Sequence, residues 1–164
     1  MTDFSALIQR LTGSDVHVIL VGVAATIHGS ARLTRDVDVV YARDAHNLRT
    51  LVEAIAPLHP YLRGAPAGLP FTFDVQTVTA GLNFTLTTDF GDLDLFGEIA
   101  GGGNYASLIA GSDCVEVFGR PCRCLSLDQL IAAKRAAGRP RDIEAIAELE
   151  IIRDRGTGNV NIAL

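Results

Sequence analysis

Apolar positions along the chain fall into short alternating runs separated by helical stripes. Phe4, Leu7, Ile8 and Leu11 recur at helical spacing between Asp3 and Leu11 with Gly13 behind them, which predicts a short amphipathic helix covering a sheet. Val16 to Val21 is a β-branched run closed by Gly22, the pattern of a buried strand ending in a turn. Ala24 to His28 is helix-permissive and Gly29-Ser30 ends it. Asp36 and Asp38 then alternate with Val37, Val39 and Val40, so a second strand points both carboxylates to one face. A helix is expected from Asp44 or Ala45 to about Ala56, with Leu48, Leu51, Val52 and Ile55 on one side and Pro57 and Pro60 behind it.

The second half continues the alternation. Tyr61 to Phe73 carries Pro66, Gly68 and Pro70 and reads as a surface loop beside the acids; His59 and Arg63 sit near its start, and a loop histidine is more often solvated than catalytic. Gln76 to Gly81 suggests a helical turn, and Phe84 to Thr88 a strand. Asp89-Phe90-Gly91 turns into Asp92 to Phe96, where Asp92 and Asp94 share the face opposite Leu93 and Leu95. Gly97 to Gly103 reads as a flexible turn that closes over substrate or simply links strands. Val115–Phe118 and Pro121–Leu125 predict a hairpin around Gly119-Arg120. Ser126 with Gln129 is a capping-box pair opening a helix to about Ala137, and Gly138 stops it. Arg139-Pro140-Arg141-Asp142 starts a last helix, with Ile143, Ile146, Ala147 and Leu149 as its apolar stripe. The expected architecture is α+β: a central mixed sheet flanked by helices, closed by a C-terminal helical pair, in one domain over 1–164 with a loose tail at 155–164.

Bulk properties narrow the function classes. With 164 residues and 48% hydrophobic positions, the chain is long and apolar enough for one substantial core. The run Val18 to Ile27 is too short to cross a bilayer and the first residues lack a signal-peptide pattern, so a cytoplasmic protein without a membrane partner is expected. A net charge of −5 argues against a broad nucleic-acid-binding surface. Two local basic groups, Arg32 with Arg35 and Lys134 with Arg135, Arg139 and Arg141, would hold a polyphosphate if brought together at the acids; apart, they are solvated helix faces. Cys114, Cys122 and Cys124 lack zinc-ligand spacing and read as small buried hydrophobes. Neither the P-loop nor the Rossmann glycine pattern occurs between a strand and a helix.

Asp36-x-Asp38 on a strand suits a divalent cation, whose octahedral oxygen shell draws on a few carboxylates plus substrate phosphates and water. Two carboxylates leave such a shell short of protein ligands, and the strand bearing Asp92 and Asp94 is the natural source of another. The bland alternative is solvated acids on a polar-out hairpin.

The stretch from Val21 to Val40, VGVAATIHGSARLTRDVDVV, resembles the opening of the nucleotidyltransferase fold shared by polymerase-β-like enzymes and small prokaryotic nucleotidyltransferases, including the AbiEii-type toxins. Gly22 matches the first residue of the family's turn, Val23 replaces its usual Gly or Ser, and Asp36 and Asp38 match its acids. LSLDQLIAAKRAAGRPRDIEAIAELE is similar to the C-terminal part of the same small enzymes, where a Leu-Ile-x-x-Lys segment precedes Gly-Arg-x-x-Asp. The resemblance implies Asp94 as third carboxylate and two magnesium ions held by Asp36, Asp38 and Asp94, with Asp94 accepting the hydroxyl proton. It implies substrate contacts at Gly22, Val23, Ser30, Arg32, Arg35 and Lys134, the lysine facing phosphate. The implied activity is transfer of a nucleoside monophosphate from an NTP to a hydroxyl on tRNA, a protein or a small molecule. Some members are toxins paired with an antitoxin. Val23 keeps a second reading open, a degenerate member that binds nucleotide or a partner without turnover. An exposed sheet edge would also allow a homodimer, and Arg139 with Asp142 could equally form a structural ion pair.

Overall fold

The computed structural model describes residues 1–156; the part of the expected tail at 157–164 lies outside the described residues. In chain order the elements are α1 (Phe4–Gly13), β1 (Val18–Leu20), α2 (Ala24–Ile27), β2 (Val37–Tyr41), α3 (Ala45–Ile55), β3 (Tyr61–Leu62), α4 (Val75–Ala80), β4 (Asn83–Thr88), β5 (Gly91–Phe96), β6 (Glu98–Ile99), β7 (Gly103–Asn104), α5 (Tyr105–Leu108), β8 (Asp113–Val117), β9 (Arg120–Cys124), α6 (Leu127–Ala137) and α7 (Pro140–Arg155). Seven strands form one sheet in the order β3-β4-β5-β2-β1-β9-β8. It is mixed: β2 runs parallel to β5 and β1 parallel to β9, while the other neighbours are antiparallel.

Local chemistry explains the helix boundaries. Asp3, Asp44 and Asp74 each accept a backbone N–H from three residues on, capping α1, α3 and α4. Ser126 and Gln129 form the reciprocal capping box of α6, and Gly138 closes that helix with φ 64°, a left-handed position where glycine has no steric cost. The central strands are buried as their apolar runs require. Val37, Val39, Val40, Tyr41, Leu93 and Leu95 are fully buried, packed with Leu7, Ile8 and Leu11 of α1 and Leu51 and Ile55 of α3.

Several expectations change. The predicted loop at 61–73 opens with β3, which pairs with β4. The flexible turn at 97–103 is framed by β6 and β7, a two-stranded pair. On α7 the buried side chains are Asp142, Ala145 and Leu149, whereas Ile143 is 63% exposed and Ala147 exposed. The helix is rotated because Asp142 turns inward: Arg139 Nε donates to its Oδ2 at 2.6 Å and Lys134 Nζ lies 3.7 Å from its Oδ1. The structural ion pair is therefore present. Cys122 and Cys124 are buried, but Cys114 lies exposed on the edge strand β8. Among the described residues no helix is long and apolar enough to cross a membrane.

Candidate metal centre

Strands β2 and β5 are parallel neighbours whose register pairs Asp38 with Asp94. Paired positions send their side chains to the same face, and Asp36, two residues earlier, joins them by the strand period. One carboxylate oxygen each from Asp36, Asp38 and Asp94 lies within 4.8 Å of the other two. Asp92 stays outside this group, its Oδ1 accepting from the Thr87 hydroxyl at 3.0 Å.

The turn after β1 forms one wall. A Cβ added at Gly22 would lie 2.5 Å from Asp38 Oδ2, so only glycine lets the backbone pass this close to the carboxylate. Val23, next in the turn, is 5% exposed. Its side chain packs in the core. α2 is a single turn, and its Ala24 amide is already committed to the Val21 carbonyl at 3.0 Å.

Crowding of like charge governs the electrostatics. Burial first, then the Asp94 and Asp36 charges, push the Asp38 carboxyl up to about 7. Burial also raises Asp94, with Arg63 opposing it. Asp38 Oδ1 is buried without any hydrogen-bond partner. Leaving an acceptor so placed is costly, and a hard cation coordinated by oxygen would satisfy it. An all-carboxylate donor set that is partly desolvated and crowded with like charge fits magnesium or a similar divalent ion.

Arg63, placed on a surface loop from its sequence context, is a member of this centre. Its Nη1 donates to Asp36 Oδ2 at 2.9 Å and lies 3.6 Å from Asp92 Oδ2, while Nη2 donates to Asp94 Oδ1. His59 in the same region is exposed and pairs with Asp89 at 2.7 Å.

A cleft opens over the carboxylates in two adjoining lobes of about 540 and 420 Å³, which share Gly22, Asp36, Asp38, Lys134, Arg139 and Arg141. The larger continues past Asn83, Phe96 and Ile99; the smaller runs along Ser30, Arg32 and Arg35. The two basic groups therefore do meet at the acids, except that Arg135 pairs with Glu150 instead. Among the described residues Arg35 and Arg141 form no ion pair. Ser30 and Arg32 are held by α7: Glu148 accepts from Ser30 Oγ at 3.0 Å, Ala31 N at 3.0 Å and Arg32 Nε at 3.2 Å. These contacts hold Glu148 below the usual carboxylate range, the Ala31 amide contributing most.

No protein-family model matches the chain, and no curated protein matches it. Among solved structures it is similar to the crystal structure of an antigenic nucleotidyltransferase-like protein from Paracoccidioides brasiliensis, with 19% identity and a TM-score of 0.48 over 88% of this chain and 72% of that one.

Proposed function

We propose that this chain is a magnesium-dependent nucleotidyltransferase that moves a nucleoside monophosphate from an NTP to a hydroxyl acceptor. The observation that carries the proposal is the in-register meeting of Asp94 with Asp38 and Asp36, with Asp38 Oδ1 left unpartnered. Asp36, Asp38 and Asp94 would hold the metal, whose chemistry is to neutralise phosphate charge and lower the cost of deprotonating the acceptor hydroxyl.

The remaining work belongs to the chain. Lys134, Arg139, Arg141 and Arg35 line the cleft beside the carboxylates and supply positive charge for a polyphosphate. Gly22 keeps the turn low enough for Asp38 to stand in the cleft wall. Phe96 and Ile99 offer apolar surface in the larger lobe, suited to one side of a base. The resemblance gives Asp94 the further role of receiving the acceptor proton. An acceptor on tRNA or protein, and a toxin role with an antitoxin, are the expectations that the resemblance adds.

The second reading, nucleotide binding without turnover, draws on Val23 being packed in the core and Arg63 being seated among the acids. Pyrophosphate release from each NTP, with magnesium and a total tRNA or protein acceptor pool, separates the two. Release that disappears in Asp36→Asn with Asp38→Asn supports transfer. Magnesium-dependent NTP binding without release favours the binder, and no NTP binding contradicts both.

A further inference from the structure

We propose that Arg63 is a resident cation of the carboxylate centre, competing with a divalent ion for Asp36 and Asp94, so that the centre loads metal only as the guanidinium withdraws. This rests on the metal-centre reading given above. The fold builds the competition into a cross-strand row. The Arg63 amide donates to the Thr85 carbonyl at 3.0 Å, extending the β3–β4 pairing by one residue; Thr85 pairs with Asp94, and Asp94 with Asp38. All four side chains therefore leave one face of the sheet along one line. With neighbouring strands about 4.8 Å apart, Arg63 must reach roughly 10 Å across β4 to Asp94. Arginine is long enough to do so, and its planar fork engages two carboxylates at once where a lysine would offer a point charge.

The backbone beneath Arg63 is pinned by backbone and side-chain bonds, whereas its head group is held through side chains alone. Tyr61 donates its hydroxyl to the Pro66 carbonyl at 2.5 Å and accepts from the Leu69 amide at 3.1 Å, which closes the segment on itself. Gly64, with φ 79°, makes the turn immediately after Arg63. The guanidinium, by contrast, is held only by carboxylates among the described residues, and its Nε is buried with no partner. Asp92 Oδ2, 3.6 Å from Nη1 and outside the triad, gives the head group a second seat. A magnesium ion about 2.1 Å from the oxygens of Asp36 and Asp94 would stand too close to a guanidinium hydrogen-bonded to the same atoms for both to stay. Moving to Asp92 relieves that repulsion while keeping Arg63 paired.

The test uses metal alone, without nucleotide. Manganese is titrated calorimetrically into the parent, Arg63→Gln and Arg63→Lys at one ionic strength. Removal of the competing charge is expected to tighten binding about tenfold or more in Arg63→Gln, with Arg63→Lys between it and the parent. Equal affinity in parent and Arg63→Gln overturns the competition and leaves the metal centre standing; absence of manganese binding in all three overturns both. Should Arg63→Gln fail to fold, the Nε–Hε resonance of Arg63 in the parent, assigned from its loss in Arg63→Lys, decides. A shift that saturates with added magnesium supports withdrawal, and a resonance unmoved by saturating magnesium overturns it.

Discussion

Asp38→Asn should stabilise the metal-free protein at neutral and alkaline pH. The Asp38 carboxyl titrates at about 7 in the fold against 3.8 when unperturbed. Between pH 3.8 and about 7 the folded state therefore holds a proton that the unfolded chain has released. Stability from this group is fully present below pH 3.8 and is lost as pH rises toward and through about 7. At about 1.4 kcal/mol per pH unit, the strain above pH 7 is roughly 4 kcal/mol as an upper bound. Asparagine removes the charge, keeps the shape, and can donate to the neighbouring Asp36 or Asp94 oxygens. Urea unfolding in the presence of a chelator, at pH 8 and pH 5, measures the difference directly. The variant should exceed the parent by about 2–4 kcal/mol at pH 8, and that gain should shrink substantially at pH 5. An asparagine variant no more stable than the parent at pH 8, or a gain independent of pH, would refute the argument that like charges are forced together here.

Three further perturbations probe the supports of the site. Gly22→Ala places a Cβ against Asp38 Oδ2, so manganese affinity measured by calorimetry should fall about tenfold while the fold persists. Glu148→Ala releases Ser30, Ala31 and Arg32 from α7; hydrogen exchange of amides 30–35 should quicken about tenfold, with metal affinity unchanged. Asp142→Ala removes the buried partner of Arg139 and Lys134, leaves cations that reach solvent, and should cost about 2 kcal/mol in urea unfolding. Burial opposes ionisation of Asp142, but its bonds and attraction to Arg139 prevail and hold its carboxyl below 3.8. Its stabilising contribution is present above that value and disappears as pH falls through the lower folded one.

Much of the carboxylate centre was legible because strand period is local information. Asp36-x-Asp38 and Asp92-x-Asp94, each alternating with apolar residues, announce which face the acids occupy before any pairing is known. Arg63 was not legible. It follows a strand of two residues in a stretch rich in proline and glycine, and only pairing with Thr85 carries it onto the acidic face. Helix α5 did leave a signal: Asn104 accepts from the Ser107 amide, a cap visible as Asn-x-x-Ser. Ile143 misled because apolar spacing alone ignored a buried carboxylate. Asp142 wins the inward position through two cations that lie before it in the chain, and Ala145 and Leu149 follow it inward.

Asp36, Asp38 and Asp94 are proposed as one divalent-cation site. Anomalous diffraction from crystals soaked in manganese reads that site without substrate or turnover. A peak is expected within coordinating distance, about 2.0–2.3 Å, of oxygens from all three carboxylates. Clear density for the three side chains with no peak among them, under conditions that load manganese elsewhere, would contradict it.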